Sequence, residues 1–386
     1  MSPTAPERSE YDLVVVGAGV IGLACAWRAA RAGLSVLVVD RDHPGSGASG
    51  VAAGMLAPVT EADFGEEELL ALNLEGRAMW DAFAAELEEA GGLTLGYVDS
   101  GCLVVAADRD DVEELRRLHA LHETLGLDSE WLAARAARRL EPGLSPRIAG
   151  AISIPRDGLV DPRAVVAALL AALAREGGEV VSGAEVTELL GDSERVTGVR
   201  IAGGGEVGAA NVLVAAGAWS SAGALEEAGP RVRPVKGQLI ELKVRDGRPA
   251  LATRLVRTPR CYVVGRADGR VVIGATTEDL GFDTTVTADG VFRLLEAAME
   301  VLPDVAELEL VAARAGLRPG TPDGRPVIGS GDRDGLLWAT GHGRNGVLLA
   351  PLTAARVLDL LREPSPTRST RMSIASGASP TASGVS

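Results

Sequence analysis

The chain has 386 residues, enough for two or three domains or one large catalytic unit, with 46% hydrophobic and 24% charged residues, the make-up of a soluble globular protein. A formal charge of −15 argues against a nucleic-acid partner, because phosphates need a basic surface. Three scattered cysteines make no disulfide framework, the N-terminus has no apolar signal core, and no stretch reaches the roughly 18 apolar residues of a membrane span, so a soluble cytoplasmic protein is expected.

In chain order, "YDLVVV" (11–16) has the unbroken apolarity of a parallel strand buried on both faces. A glycine turn and the helix "LACAWRAARAG" follow, then a second buried strand, "LSVLVVD" (34–40), ending in an acid. This is a β-α-β unit, whose crossover is right-handed. "FGEEELLALNLEGRAMWDAFAAELEEAGG" predicts one long amphipathic helical stretch, "GYVDSGCLVVAA" a hairpin, and "DVEELRRLHALHETLG" a surface helix with His119 and His122 in solvent. "DPRAVVAALLAALAREGG" is a helix with Asp161 as N-cap and Pro162 as its first residue. "EVV", "EVTELL", "VTGVRIA" and "NVLVAAG" are successive strands, and "QLIELKV" and "CYVVGRADGRVVIGAT" continue a strand-and-turn pattern. "LLWAT" is a strand before the helix "NGVLLAPLTAARVLDLL", which tolerates Pro351 in its early turns. The Ser/Thr/Pro/Gly segment after 363 reads as a disordered tail, like residues 1–10.

The spacing G-x-G-x-x-G occurs four times, and context separates the copies. Gly17, Gly19 and Gly22 follow a strand, open a helix and precede Asp40 at about the twenty-residue distance of a dinucleotide fingerprint. Gly17 permits the turn, Gly19 lets a pyrophosphate approach, Gly22 permits close helix–strand packing, and Asp40 accepts from ribose hydroxyls. Gly203, Gly205 and Gly208 open no helix and read as a hairpin turn. Gly45, Gly47 and Gly50 follow the acid; they suit either a flexible loop or close approach of a cofactor to backbone. Gly341, Gly343 and Gly346 lie between a strand and a helix, but no second strand with a terminal acid follows. They supply a helix start able to face an anion, not a second complete nucleotide site.

Together, "GAGVIG", "GSGASGVAAGM", "CYVV…VVIGAT", "AGLRPGTPDGRPVIG" and "GHGRNGVLLAP" resemble the D-amino acid oxidase superfamily, and more narrowly its glycine oxidase branch of thiamine biosynthesis, from about Tyr11 to Leu361. The resemblance implies an α/β fold. A discontinuous Rossmann-like FAD-binding domain (11–84, 150–224 and 312–362) would carry an inserted, largely antiparallel α+β substrate-binding domain (85–149 and 225–311). It places Val20, Ile21, Asp40 and Arg41, after Gly17, Gly19 and Gly22, on the adenosine and phosphate side, with Val186 near the adenine. Ala48, Ser49, Ala53, Gly54 and Met55 match the segment beside the pyrophosphate and flavin; Asn345, Gly346, Val347, Leu348 and Leu349 match the helix start at the flavin's pyrimidine edge. Tyr262, Arg318 and Arg344 match the positions that bind the amino-acid substrate.

A guanidinium grips a carboxylate through two parallel hydrogen bonds, which suits Arg318 to an amino acid. The implied reaction is hydride transfer from the substrate Cα to flavin N5, followed by reoxidation by O2 and hydrolysis of the imine; no protein base or metal is expected, and the histidines form no catalytic set. No cysteine follows Cys261, so FAD is expected to be noncovalent. Relatives of this type imply a homotetramer. A D-amino acid or sarcosine oxidase, or a dehydrogenase, remains within the class. An NAD(P)H-dependent flavin enzyme would need a second nucleotide site, and a silent flavin-binding protein would not need Arg318 and Tyr262.

Overall fold

A computed structural model describes residues 6–203, 205–226 and 229–362. The expected tails thus fall mostly outside the described residues, except that residues 6–10 are bound in place. Glu10 already belongs to the first strand, and Gly208 donates to the Ser9 carbonyl at 2.8 Å.

Two eight-stranded sheets organise the chain. In the first, five strands run parallel in the order Leu336–Thr340, Gly205–Val214, Glu10–Val16, Val36–Asp40, Glu179–Ser182. Their Val- and Leu-rich segments are buried on both faces, as a doubly covered parallel sheet requires. The helices Val20–Arg31, Pro162–Arg175 and Gly346–Arg362 pack on one face. Strand Val196–Ile201 adds antiparallel to Gly205–Val214, and Val186–Gly191 antiparallel to Val196–Ile201; Ile201 pairs with Gly205 across the "GGGEVG" turn. That pairing bears out the hairpin reading.

The second sheet runs Glu309–Gly320, Arg233–Lys243, Arg270–Gly274, Tyr262–Gly265, Leu255–Arg257, Cys102–Ala106, Gly150–Ile154, Glu130–Ala133. All neighbours are antiparallel except Leu255–Arg257 beside Cys102–Ala106. Helix Ala288–Val301 covers one of its faces.

Several local expectations need correcting. The stretch from Phe64 to Gly92 is two helices, Glu67–Ala78 and Trp80–Gly91, the second turning Trp80 and Phe83 into the core beside Trp27. "GYVDSGCLVVAA" is no hairpin: Cys102–Ala106 finds its antiparallel partner nearly fifty residues on, in Gly150–Ile154. Pairing also moves domain edges. Gly150–Ile154 and Glu309–Gly320 both belong to the antiparallel sheet, while Trp80–Gly91 packs in the nucleotide half. His122 is not in solvent. It is fully buried, and burial pushes its imidazole down to about 4, so it is neutral.

Side-chain hydrogen bonds also tie the two halves together. Arg163, in the first turn of Pro162–Arg175, makes a fork to buried Glu241 on Arg233–Lys243 at 3.2 and 2.9 Å. Arg266 donates to the carbonyls of Val160 (2.8 Å) and Ala53 (2.5 Å). Glu241 is buried while Arg163 is partly exposed, so the pair is screened on one side but leaves no bare carboxylate inside.

Candidate active site

The cleft begins at the glycine turn between Glu10–Val16 and Val20–Arg31. Gly17 has φ of +112°, and a Cβ there would lie 2.4 Å from the Ala215 carbonyl oxygen, so only glycine fits. A Cβ on Gly22 would meet the Gly17 carbonyl at 2.0 Å, which makes Gly22 a packing residue behind the turn. The helix has no side-chain cap from Gly19. Instead the Val20 amide donates to Ser49 Oγ at 3.0 Å and the Ala18 amide to Asp40 Oδ2 at 2.6 Å. Asp40 is a half-buried carboxylate whose pKa is raised by burial, against the pull of the Asp42 and Ala18 amides.

From this turn a continuous cavity of about 1000 Å³ runs between the halves. Gly17, Gly19, Val20, Ile21, Asp40, Arg41, Ala48, Ser49, Ala53, Gly54, Met55 and Val186 line one end, and Asn345, Gly346 and Val347 line its side. Tyr262, Arg318 and Arg344 line the other end. The side chains of Leu348 and Leu349, and Gly22, do not line the cavity. Gly22 lies behind the turn, and Leu348 and Leu349 point into the core. The Leu348 carbonyl accepts from Trp80 Nε1 at 2.9 Å, and Leu349 packs over Gly76. On a helix, successive side chains rotate by about 100°, so those of Leu348 and Leu349 turn from the cavity while the first-turn amides still point along the helix axis toward it.

At the far end, Arg318 and Tyr262 are seated over glycines. A Cβ at Gly237 would fall 2.5 Å from both terminal nitrogens of Arg318, and one at Gly274 would fall 2.3 Å from the Tyr262 hydroxyl. Arg318 donates to the Thr276 carbonyl at 3.2 Å. Burial pushes the Tyr262 phenol up to about 12, with Arg318 opposing, so its hydroxyl keeps the proton and stays a donor.

Six arginines line the cavity: Arg41, Arg233, Arg257, Arg260, Arg318 and Arg344. Five have carboxylate partners, in Asp42, Asp279, Glu61, Glu300, and Glu61 with Glu66, respectively. Arg318 has none among the described residues, so the one uncompensated guanidinium faces the cavity.

Glu61 and Arg257 were not legible in the sequence. Glu61 lies in "APVTEADFG", a loop with no motif, and Arg257 sits in a short strand; both belong to the site because Arg257 bonds the Thr60 carbonyl (2.9 Å) and Glu61 (3.1 Å). Behind them, buried Asp157 takes the Thr60 amide at 2.8 Å. His342 also lines the cavity. Its ring is bonded to Thr353 at 2.9 Å, and burial pushes it down to about 3, so it is neutral.

The fold and this cleft define a flavin-dependent oxidoreductase. The model of the DAO family, FAD dependent oxidoreductase, matches residues 12–360, and the chain belongs to that family. It is similar to the glycine oxidase of Geobacillus kaustophilus (strain HTA426), 37% identical over 91% of this chain and 93% of the relative. It also resembles the bifunctional protein ThiO/ThiG of Trichormus variabilis, 34% identical over 91% of this chain and 53% of that longer protein. The crystal structure of the Geobacillus kaustophilus glycine oxidase superposes with a TM-score of 0.85 at 36% identity, over 93% of this chain and 96% of that one. Iminodiacetate oxidase from Chelativorans sp. BNC1 superposes at 0.81, with 31% identity over 93% and 98%.

FAD suits the cleft on its own chemistry. The glycine turn at the start of the Val20–Arg31 helix would offer backbone amides to a pyrophosphate, Asp40 at the end of the next strand would accept from a ribose, and the start of the Gly346–Arg362 helix also lines the cavity.

Proposed function

We propose that this protein oxidises glycine with FAD and O2, giving glyoxylate through its imine, with ammonia and hydrogen peroxide, and so supplies the thiazole branch of thiamine synthesis. The observation that carries the reading is Arg318, whose guanidinium alone among the cavity arginines lacks a carboxylate. A free amino acid brings that carboxylate. The names of the relatives, glycine oxidase and ThiO/ThiG, support the substrate and the pathway.

Arg318 and the protonated Tyr262 would hold the carboxylate, leaving the Cα–H to point along the cavity. FAD, when bound, supplies the two-electron acceptor for the hydride leaving Cα. The chain then has only to orient the substrate and exclude water. Neutral His342, tied to Thr353, and Glu61, tied to two arginines, are both occupied and leave no free base beside Arg318. The start of Gly346–Arg362 presents a positive helix end to charge that gathers on a reduced cofactor.

We further read residues 11–91, 158–225 and 321–362 as the cofactor-binding part and the remainder of the two sheets as the substrate-binding part, in a soluble cytoplasmic enzyme. No described helix is long and apolar enough to cross a membrane. A second substrate class, an N-substituted glycine, is favoured by the likeness to iminodiacetate oxidase; small D-amino acids and sarcosine belong to the same comparison, as does a dehydrogenase that bypasses O2.

A peroxide assay on glycine, sarcosine, iminodiacetate, D-alanine and D-proline tests the reading. Glycine should give the highest kcat/KM. Turnover with an artificial acceptor under anaerobic conditions, and none with O2, would overturn the oxidase assignment.

A further inference from the structure

The loop from Thr276 to Thr287, between Arg270–Gly274 and Ala288–Val301, starts in the substrate half and ends its reach on the cofactor half. Its base is firmly tied. The Gln238 amide donates to Thr276 Oγ1 at 2.9 Å, Lys236 and Glu278 exchange backbone hydrogen bonds at 2.9 and 3.0 Å, and the Thr287 amide donates to Gln238 Oε1 at 2.8 Å. Beneath the loop lies Lys236, fully buried, with its Nζ 2.7 Å from Asp283 and 3.5 Å from Glu278. Lys236 thus ties both Glu278 at the base and Asp283 beside the tip, so lifting the tip breaks the partly exposed Lys236–Asp283 pair while the backbone bonds at Glu278 and Thr287 hold.

The tip behaves differently. Leu280 and Phe282 are 53% and 49% exposed, although an ordinary loop keeps large apolar groups out of water. Phe282 has found a partner across the cleft. It stacks on Trp219 with ring centroids 5.7 Å apart and planes at 28°, and the Arg41 guanidinium lies 4.1 Å over the same indole. Asp279 pairs with Arg233 next to it. Trp219, Arg41 and Arg233 all line the cavity, and Trp219 stands beside Gly47 of the small-residue loop.

We infer that the 276–287 loop is a clasp on the cofactor cleft, in which Phe282 pins Trp219, and with it Arg41, against the bound FAD, so that the tip must lift before FAD leaves. The inference rests on FAD binding and not on the identity of the substrate. Trp219 is amphipathic and broad, and with one face taken by Phe282 and a cation nearby it is fixed as a wall of the cleft. The loop's two ends serve different ligands: the Thr276 carbonyl steadies Arg318, while the tip holds the cofactor wall.

The test uses the holoenzyme. Release of FAD after large dilution of the holoenzyme, followed by the rise in free-flavin fluorescence, should be about three- to tenfold faster in Phe282→Ala, the loss expected for one aromatic pair. Phe282→Tyr should restore the native rate, and the glycine KM at saturating FAD should not move. The melting temperature of the holoprotein should fall while that of the apoprotein stays, since Phe282 is half exposed and fills no core. An unchanged release rate in Phe282→Ala would overturn the clasp, and so would an equal loss of melting temperature in apo and holo forms, which would make Phe282 a general stabiliser.

Discussion

Arg344 and Glu61 bind each other: Arg344 Nε lies 3.0 Å from a carboxylate oxygen of Glu61, while its Nη2 reaches Glu66 at 2.7 Å. Burial works against the charge on Arg344, but Glu61 and Glu66 outweigh it and hold its pKa up. Arg344 is therefore engaged within the protein, and its guanidinium is not the free partner of a substrate carboxylate. Arg318 is.

Arg318→Ala should raise the KM for glycine roughly ten- to hundredfold, the loss of a charged hydrogen bond worth about 1.5–3 kcal/mol, with flavin content normal. Arg344→Ala should raise it less, because that arginine acts through Glu61 and the 57–66 loop. Steady-state kinetics of the two variants checks the ranking; a larger effect from Arg344 would place the anchor there.

Gly237→Ala tests the seat of Arg318 without touching its charge. The added methyl would collide with the guanidinium at 2.5 Å, and a flexible side chain yields before the paired strands do. The KM for glycine should rise about tenfold, a shift of about 1.4 kcal/mol, with kcat changed less. An unaltered KM would mean that Arg318 has room to bind elsewhere.

Asp40→Ala removes the acceptor for the Ala18 amide and the carboxylate at the ribose end. FAD should bind about ten- to hundredfold more weakly, from loss of about 1.5–3 kcal/mol. Titration of apoprotein with FAD measures this directly, and native affinity would remove Asp40 from the cofactor site.

Asp157 links stability to pH. Burial pushes its carboxyl from 3.8 up to about 6, against the amides of Val59 and Thr60. Because the folded pKa is the higher one, the native state holds the proton more tightly. The resulting stabilisation is complete below pH 4 and is lost as pH rises through 6. Asp157→Asn should therefore gain on the wild type between pH 4 and pH 7.5, by up to about 3 kcal/mol at about 1.4 kcal/mol per pKa unit. Urea denaturation across that range checks the sign; a gap that narrows with rising pH would contradict it.

The nucleotide half was legible because its signals are local. The turn at Gly17, the helix behind it and Asp40 lie within thirty residues, and steric and dipole rules act at that range. The Asp161 cap and the GGGEVG hairpin were readable for the same reason. Partners of Cys102–Ala106 were not, since a buried apolar strand carries no mark of which distant strand it joins. His122 was misplaced by the polarity of its helix, yet it joins Asp111, Leu115 and Leu121 on the buried side.

From the sequence alone follow the family, the glycine turn, the helix that lines the cleft and the proposed substrate arginine, because each rests on residues close together in the chain or on a motif. Only the tertiary structure decided which of six arginines is free. That depends on Glu61, Glu66 and the others arriving from distant segments to neutralise five of them, and charge compensation is a property of distance in space. The same holds for Leu348 and Leu349, whose side chains the helix turns into the core, a direction that the motif does not state.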